Sequence, residues 1–225
     1  MTRTPPQPLP LGQAEIFPAD VCPLEEVAAA APADLAAALG FALDRLAVDD
    51  GRPLAFVAPA AWRRERGRPF ARGLVQAGGA AASRLIWIAA DKEAQALWAL
   101  EEALKSGAVA GAIGAALAPS FVATRRIDFA ARAGGALAVL LRAQPGGDLS
   151  AARRRWRIAS LPSAAHPFDP QAPGAPRLTA ELTRRRDGPP GAWTLEKDDE
   201  TGRFRVAAGL AGDGVPARRT RRRAA

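Results

Sequence analysis

The stretch RLIWIAADKEAQALWALEEALKSGAVAGAIGAA, residues 84–116, decides the fold. Its first part, Arg84–Ala90, is an apolar run of strand length. DKEAQALWALEEALKSG then places Leu97, Leu100 and Leu104 on a shared side at helical spacing, with Trp98 beside them. Asp91 stands where it would cap the start of that helix and Gly107 where it would end it. A second short apolar run, Val109–Ala116, follows. Strand, helix, strand in this order is the unit of a parallel sheet.

Working outward, the pattern repeats on both sides. Upstream, Asp34–Ala47 reads as an amphipathic helix on Leu35, Leu39, Ala42, Leu43 and Leu46, with Asp34 placed to cap it. Pro53–Ala58 (PLAFVA) reads as a strand and Glu65–Ala77 as a helix. Downstream, Ser120–Ala133 reads as a helix and Ala136–Leu141 as a strand. The alternation predicts a parallel sheet covered on both faces over residues 13–148.

From Leu149 the pattern changes. RRWRIAS, RLTAELTR, AWTLEK and RFRVAA each alternate apolar with polar residues, as half-buried antiparallel strands do. The inward set is Trp156 and Ile158, then Leu178, Ala180 and Leu182, then Trp193 and Leu195, then Phe204 and Val206. DGPPG and DDETG read as the turns between the last three strands, and Ala164–Pro176 as a surface loop. These strands extend the same domain over residues 149–210. A flexible Pro-rich leader, 1–12, precedes the core, and an Arg-rich tail, 211–225, too polar and charged to fold alone, follows it.

Composition narrows the chemistry. One cysteine, Cys22, allows no internal disulfide, and with one histidine, His166, the chain lacks the usual Cys/His zinc set. His166 sits in SAAHPFDPQAPGAP, a Pro-rich setting that reads as a loop and holds a catalytic base poorly. No apolar run approaches the length of a membrane span and the start lacks the apolar centre of a signal peptide, so the protein is expected to stay in the cytoplasm. The chain carries 31 Lys+Arg and 23 Asp+Glu, of which residues 1–150 hold fifteen of each, so the whole net charge of +8 lies in the last third.

The order of elements resembles the RecA family. EAQALWALEEALKSGAV matches, in length and register, the helix that leads into the Walker B strand of that family, GGDLSAARRRWRIAS resembles the end of its second DNA-binding loop and the strand after it, and RLTAELTRRRDG resembles the basic strand that comes next. Within it the chain is similar to the ImuA branch, which shares the Arg-Trp-Arg strand, the Arg-Arg-Arg-Asp-Gly strand end and the following Pro-Gly-X-Trp strand. The likeness spans about residues 11–208. It implies a RecA-like core.

Against that pattern, the nucleotide chemistry is missing. A phosphate loop needs glycines, a Lys and a Ser/Thr. Here the segment reads AAAAPADLAAALGF, with Asp34 near the anion position and Gly40 inside the helix, where it allows close packing. The position of the water-activating glutamate matches Ala60, and that of the magnesium-binding aspartate matches Ala115. Positioned charges and metal supply nearly all of phosphoryl-transfer catalysis, so no catalytic residue, cofactor or metal is expected.

Three basic features remain. In the Arg153–Arg157 run, alternation puts Trp156 in the core and the arginines on a solvated face. Arg184, Arg185 and Arg186 end a strand, where they are either a solubilising edge device or a contact to DNA or a partner. In the tail, Arg218, Arg219, Arg221, Arg222 and Arg223 favour DNA, bound without sequence preference, or an acidic partner surface. The ImuA resemblance implies a non-catalytic adaptor in DNA-damage-induced translesion synthesis. Its implied partners are an inactive polymerase-like protein (ImuB), RecA and an error-prone replicative-type polymerase, with no membrane. The alternatives are a SulA-like inhibitor of cell division acting on a tubulin-like protein, and a divergent ATPase.

Overall fold

In the computed structural model the described residues are 17–47, 51–70, 72–75, 83–115, 119–169 and 171–207. They form one nine-stranded sheet in the order β3-β2-β4-β5-β1-β6-β7-β8-β9. The strands are β1 (Leu24–Ala29), β2 (Leu54–Pro59), β3 (Leu85–Ala90), β4 (Gly111–Ala115), β5 (Leu137–Arg142), β6 (Arg154–Leu161), β7 (Arg177–Arg185), β8 (Gly191–Lys197) and β9 (Phe204–Val206). The helices are α1 (Leu35–Arg45), preceded by a 3-10 turn at Pro32–Asp34, α2 (Ala60–Arg66), α3 (Glu93–Lys105) and α4 (Phe121–Ala133). The α/β class with a mostly parallel sheet and C-terminal antiparallel strands is thus what the chain adopts. β6 belongs to both halves: it pairs parallel with β1 and antiparallel with β7, rather than only antiparallel as its alternation suggested.

Two apolar layers hold the sheet. On one face α1 and α2 pack Phe41, Leu43 and Trp62 against Val27, Phe56, Ile113, Trp156, Leu182 and Trp193. On the other, α3 and α4 pack Leu100, Leu104 and Ile127 against Leu24, Val57, Ala112 and Leu140. Among the described residues this second layer takes nothing from β6–β9. One face of the antiparallel half is therefore bare.

Four expectations change. β1 is the central strand, yet LEEVAA has no apolar run to announce it. All six of its residues are buried, Glu25 and Glu26 included. The helix expected over Glu65–Ala77 begins earlier, at Ala60 behind Pro59, and breaks at Gly67, whose φ of 71° is natural only to glycine; within the expected span residues 72–75 are helical again. Asp91 does not cap α3. Lys92 is its N-cap, and its backbone N–H is accepted by Gln95 Oε1 at 3.1 Å. Val206 is 47% exposed, because three-residue β9 runs past the last core layer.

Other local readings hold. Ser120 accepts from Ala123 N to cap α4. Gly107, at φ 70°, lies just beyond α3, and Arg52 donates to the Gly107 and Gly135 carbonyls at 3.0 and 2.9 Å. DDETG closes the β8–β9 hairpin, and His166 lies in the loop between β6 and β7, where its Nδ1 accepts from Phe168 N and Asp169 N. The leader 1–12 and the tail from residue 211, with its five arginines, lie outside the described residues.

Candidate interaction surface

In an open α/β sheet, ligands settle beyond the strand C-termini where the strand order reverses. Here that point follows β1, which has β5 on one side and β6 on the other. Asp34 occupies it. Its side chain makes no cap bond to α1; Oδ2 accepts from Ala31 N at 3.0 Å and Oδ1 from Ser160 N of β6 at 2.9 Å. The chain's own carboxylate thus takes the backbone donors of the turn and ties it to β6. Ala60 opens α2 just past β2, and Ala115 ends β4, fully buried. Among the described residues no group of three or more His, Cys, Asp or Glu is placed to hold a metal ion, and no helix is long and apolar enough to cross a membrane. Gly40 is buried in α1 and borders an apolar groove of about 600 Å³ that also touches Leu178 and Phe204.

The Arg153–Arg157 run differs most from its reading as a solvated face. Arg154 is fully buried. Its Nη2 donates to Asp20 Oδ2 at 2.8 Å and to Asp187 Oδ2 at 2.6 Å, and its Nη1 lies 3.7 Å from Glu25 Oε1. Glu25 also accepts from Arg45 at 2.7 and 3.0 Å and from Trp156 Nε1 at 2.8 Å. Arg45 in turn holds the Pro18 and Asp20 carbonyls and lies over the rings of Phe17 and Trp156. The network joins residues 17–22, β1, α1, β6 and the β7–β8 turn. Burial opposes the Arg154 charge, but the bonds to Asp187 and Asp20 outweigh it and raise its pKa. The bond from Arg154 brings Asp187 down to about 2 and likewise lowers Asp20. Trp156 lies in the core, as alternation required.

On the bare face the charges pair in a ladder: Arg157 with Glu181 at 3.1 Å, Arg177 with Glu196 at 3.7 Å, and Arg155 with Glu26 at 3.0 Å. Burial, and repulsion from Arg184 and Arg142, depress the Arg155 pKa against the pull of Glu26.

The structure divides the 184–186 cluster. The register shifts where Trp156 faces Leu182 and Arg155 faces Arg184, leaving Thr183 as an extra residue whose hydroxyl donates to the Arg155 carbonyl. The bulge reverses the phase of the strand end. Arg184 comes to lie opposite Arg155, beside the bare face and exposed, while Arg185 lies opposite Arg154 and pairs with Asp187 at 3.4 Å. Arg186 is exposed, and its N–H donates to the Arg153 carbonyl. Sequence reasoning passed over Arg45 and Glu25, and it placed Arg154 on a solvated face. The one signal for them was two glutamates in a segment otherwise free of charge, LEEVAAAAP.

The sheet order and the self-occupied turn after β1 define an open α/β protein in which the turn at the strand-order reversal is filled by the chain's own carboxylate. No family model matches the sequence. Protein ImuA of Caulobacter vibrioides, from two strains, is 39% identical over 176 residues, covering 72% of this chain and 71% of that protein. The chain belongs to the ImuA family. Among solved structures, SulA from Pseudomonas aeruginosa is similar at 24% identity and a TM-score of 0.40, covering 53% of this chain and 96% of that one.

Proposed function

We propose that this protein is a non-catalytic accessory factor of DNA-damage-induced mutagenesis. In this reading it binds an inactive polymerase-like partner of the ImuB type and supports an error-prone replicative-type polymerase during translesion synthesis. Membership of the ImuA family carries the proposal. The residues at the nucleotide positions agree with it: Asp34, Ala60 and Ala115 supply neither a phosphate cradle nor a base nor a magnesium ligand, the parts on which phosphoryl transfer depends. Activity then lies in surfaces. The bare face of β6–β9 with Arg184 and Arg186, and the arginines at 218, 219, 221, 222 and 223, are the proposed contacts to partner or DNA.

The test is affinity capture of the tagged protein from DNA-damaged cells, combined with a damage-induced mutation assay in a strain lacking its gene. Recovery of a polymerase-like protein and loss of induced mutations are expected. Normal mutagenesis in the deletion strain, with filamentation on overexpression, would overturn the reading in favour of a cell-division inhibitor. Magnesium-dependent ATP turnover by the purified chain would overturn the non-catalytic part alone.

A further inference from the structure

Helices α3 and α4 leave large apolar side chains in water, most of all Trp98 at 61% exposure, Val122 at 66% and Phe129 at 74%, with Phe121 at 42% opening α4. The other four tryptophans all sit against aromatic rings: Trp62 and Trp87 with Phe56, Trp156 and Trp193 with Phe17. α3 and α4 run in the same direction, because each leads from one parallel strand to the next. The ion pair Arg126–Glu101, at 2.6 Å, sets them side by side. Trp98 lies one turn before Glu101, and Val122 and Phe129 lie one turn before and after Arg126. Helical periodicity therefore gathers all three around that bridge.

Single exposed apolar residues are ordinary, but a contiguous group of them marks an interaction site. Trp and Phe beside Arg is also the composition of interface hot spots. α4 carries Arg125, Arg126 and Arg132 against one acid, Asp128, and exposed Arg125 falls between Val122 and Phe129.

We propose that this surface docks an acidic amphipathic helix of a protein partner. Its apolar side chains lie over Trp98, Val122 and Phe129, and its carboxylates face Arg125. A second copy of this chain fits poorly, since like faces would set the α4 arginines against each other. Three side chains also fall far short of the roughly 1,600 Å² of a standard stable interface. Nucleic acid fits poorly too, because Arg126 and Arg132 are already paired with Glu101 and Asp128, so exposed Arg125 offers a polyanion one contact and no basic track. The inference rests on exposure and charge, so it stands or falls separately from the family-based reading above.

The test is a displayed library of helical 16-residue peptides, selected on the full-length protein and counter-selected on a Trp98→Ser/Phe129→Ser variant. Both substituted side chains are exposed, so the variant should keep its thermal midpoint, and a Trp98→Ala single variant serves if it does not. The expected winners are amphipathic helices with Asp or Glu beside their apolar stripe. Their affinity should fall at least tenfold in the double variant and about threefold in Arg125→Glu. Winners that are basic, or that bind both proteins equally, would overturn the proposal, as would an empty selection. Wild-type dimerisation abolished by the double variant would assign the surface to a second copy, and weaker single-stranded DNA binding in that variant would assign it to nucleic acid.

Discussion

Among the described residues β1, β2, β4 and β5 are covered on both faces, edge strand β3 keeps Ile86 47% exposed, and β6–β9 are covered on one face. The parallel half accordingly reads as apolar runs, such as LAFVA in β2, and the antiparallel half as alternation, such as Trp156-Arg157-Ile158 in β6. The seam between them follows neither pattern. β1 places two buried carboxylates in the middle of the sheet, and both sides of the seam supply partners: Arg45 of α1 bonds Glu25, which Arg154 of β6 approaches to 3.7 Å, and Arg155 of β6 pairs with Glu26. Buried ion pairs are poor sources of net stability, but breaking one is costly. The difference teaches that the halves are keyed together by charge, over an apolar layer that runs continuously through both.

Arg154→Ala should break the seam most severely. It empties a fully buried cation position, leaves Glu25 to its bonds with Arg45 and Trp156, and releases the more exposed Asp20 and Asp187. A loss of about 3–5 kcal/mol is expected from breaking a buried pair, read from urea unfolding of the full chain. A loss under 1 kcal/mol would show that the network is incidental.

Trp156→Phe keeps the ring but removes the donor to Glu25 Oε2. Leaving a buried carboxylate oxygen one partner short should cost about 1–3 kcal/mol. Asp34→Ala releases Ala31 N and Ser160 N together, with an expected cost of about 1 kcal/mol, the usual value of a helix-entry carboxylate. If the turn has kept a latent anion site, this variant is also where inorganic phosphate would first be seen to bind. Unchanged phosphate titrations are expected.

Acid should loosen the seam gradually. Asp187 is held at about 2, below its ordinary 3.8. A depressed carboxylate contributes stability that is complete above its unfolded pKa and is lost as pH falls through its folded one. The wild type should therefore lose stability between about pH 4 and 2, and Arg154→Ala should show a flatter acid limb. Arg184→Ala carries the smallest effect. It removes one of two like charges in register across β6 and β7, so a gain of a few tenths of a kcal/mol is expected. Any loss larger than 0.5 kcal/mol would show that Arg184 has a folded-state partner.

How far the sequence could be read depended on whether a signal was local. Period and punctuation revealed β2 to β5, α1, α3, α4 and the four late strands, because an apolar run or alternation records the faces a segment buries. Pro59 started α2 early and Gly67 broke the expected helix before residues 72–75, an interruption that local spacing alone missed. β1 was illegible, since its burial is possible only with cations 20 and 129 positions away, at Arg45 for Glu25, and at Arg154 and Arg155 for Glu25 and Glu26.

The alternating strands with Trp156 inward, the α/β class and the missing phosphate-loop residues were determined by sequence alone, since each is a property of residue type and short-range period. Three things were decided only in three dimensions. Burial of Arg154 needed acids from Asp20, Glu25 and Asp187 to converge. Asp34 turned from capping α1 to closing the loop because β6 brought Ser160 N within reach. The division of Arg184 from Arg185 came from one extra residue at Thr183, and a shift of one position in a strand reverses which face each side chain takes.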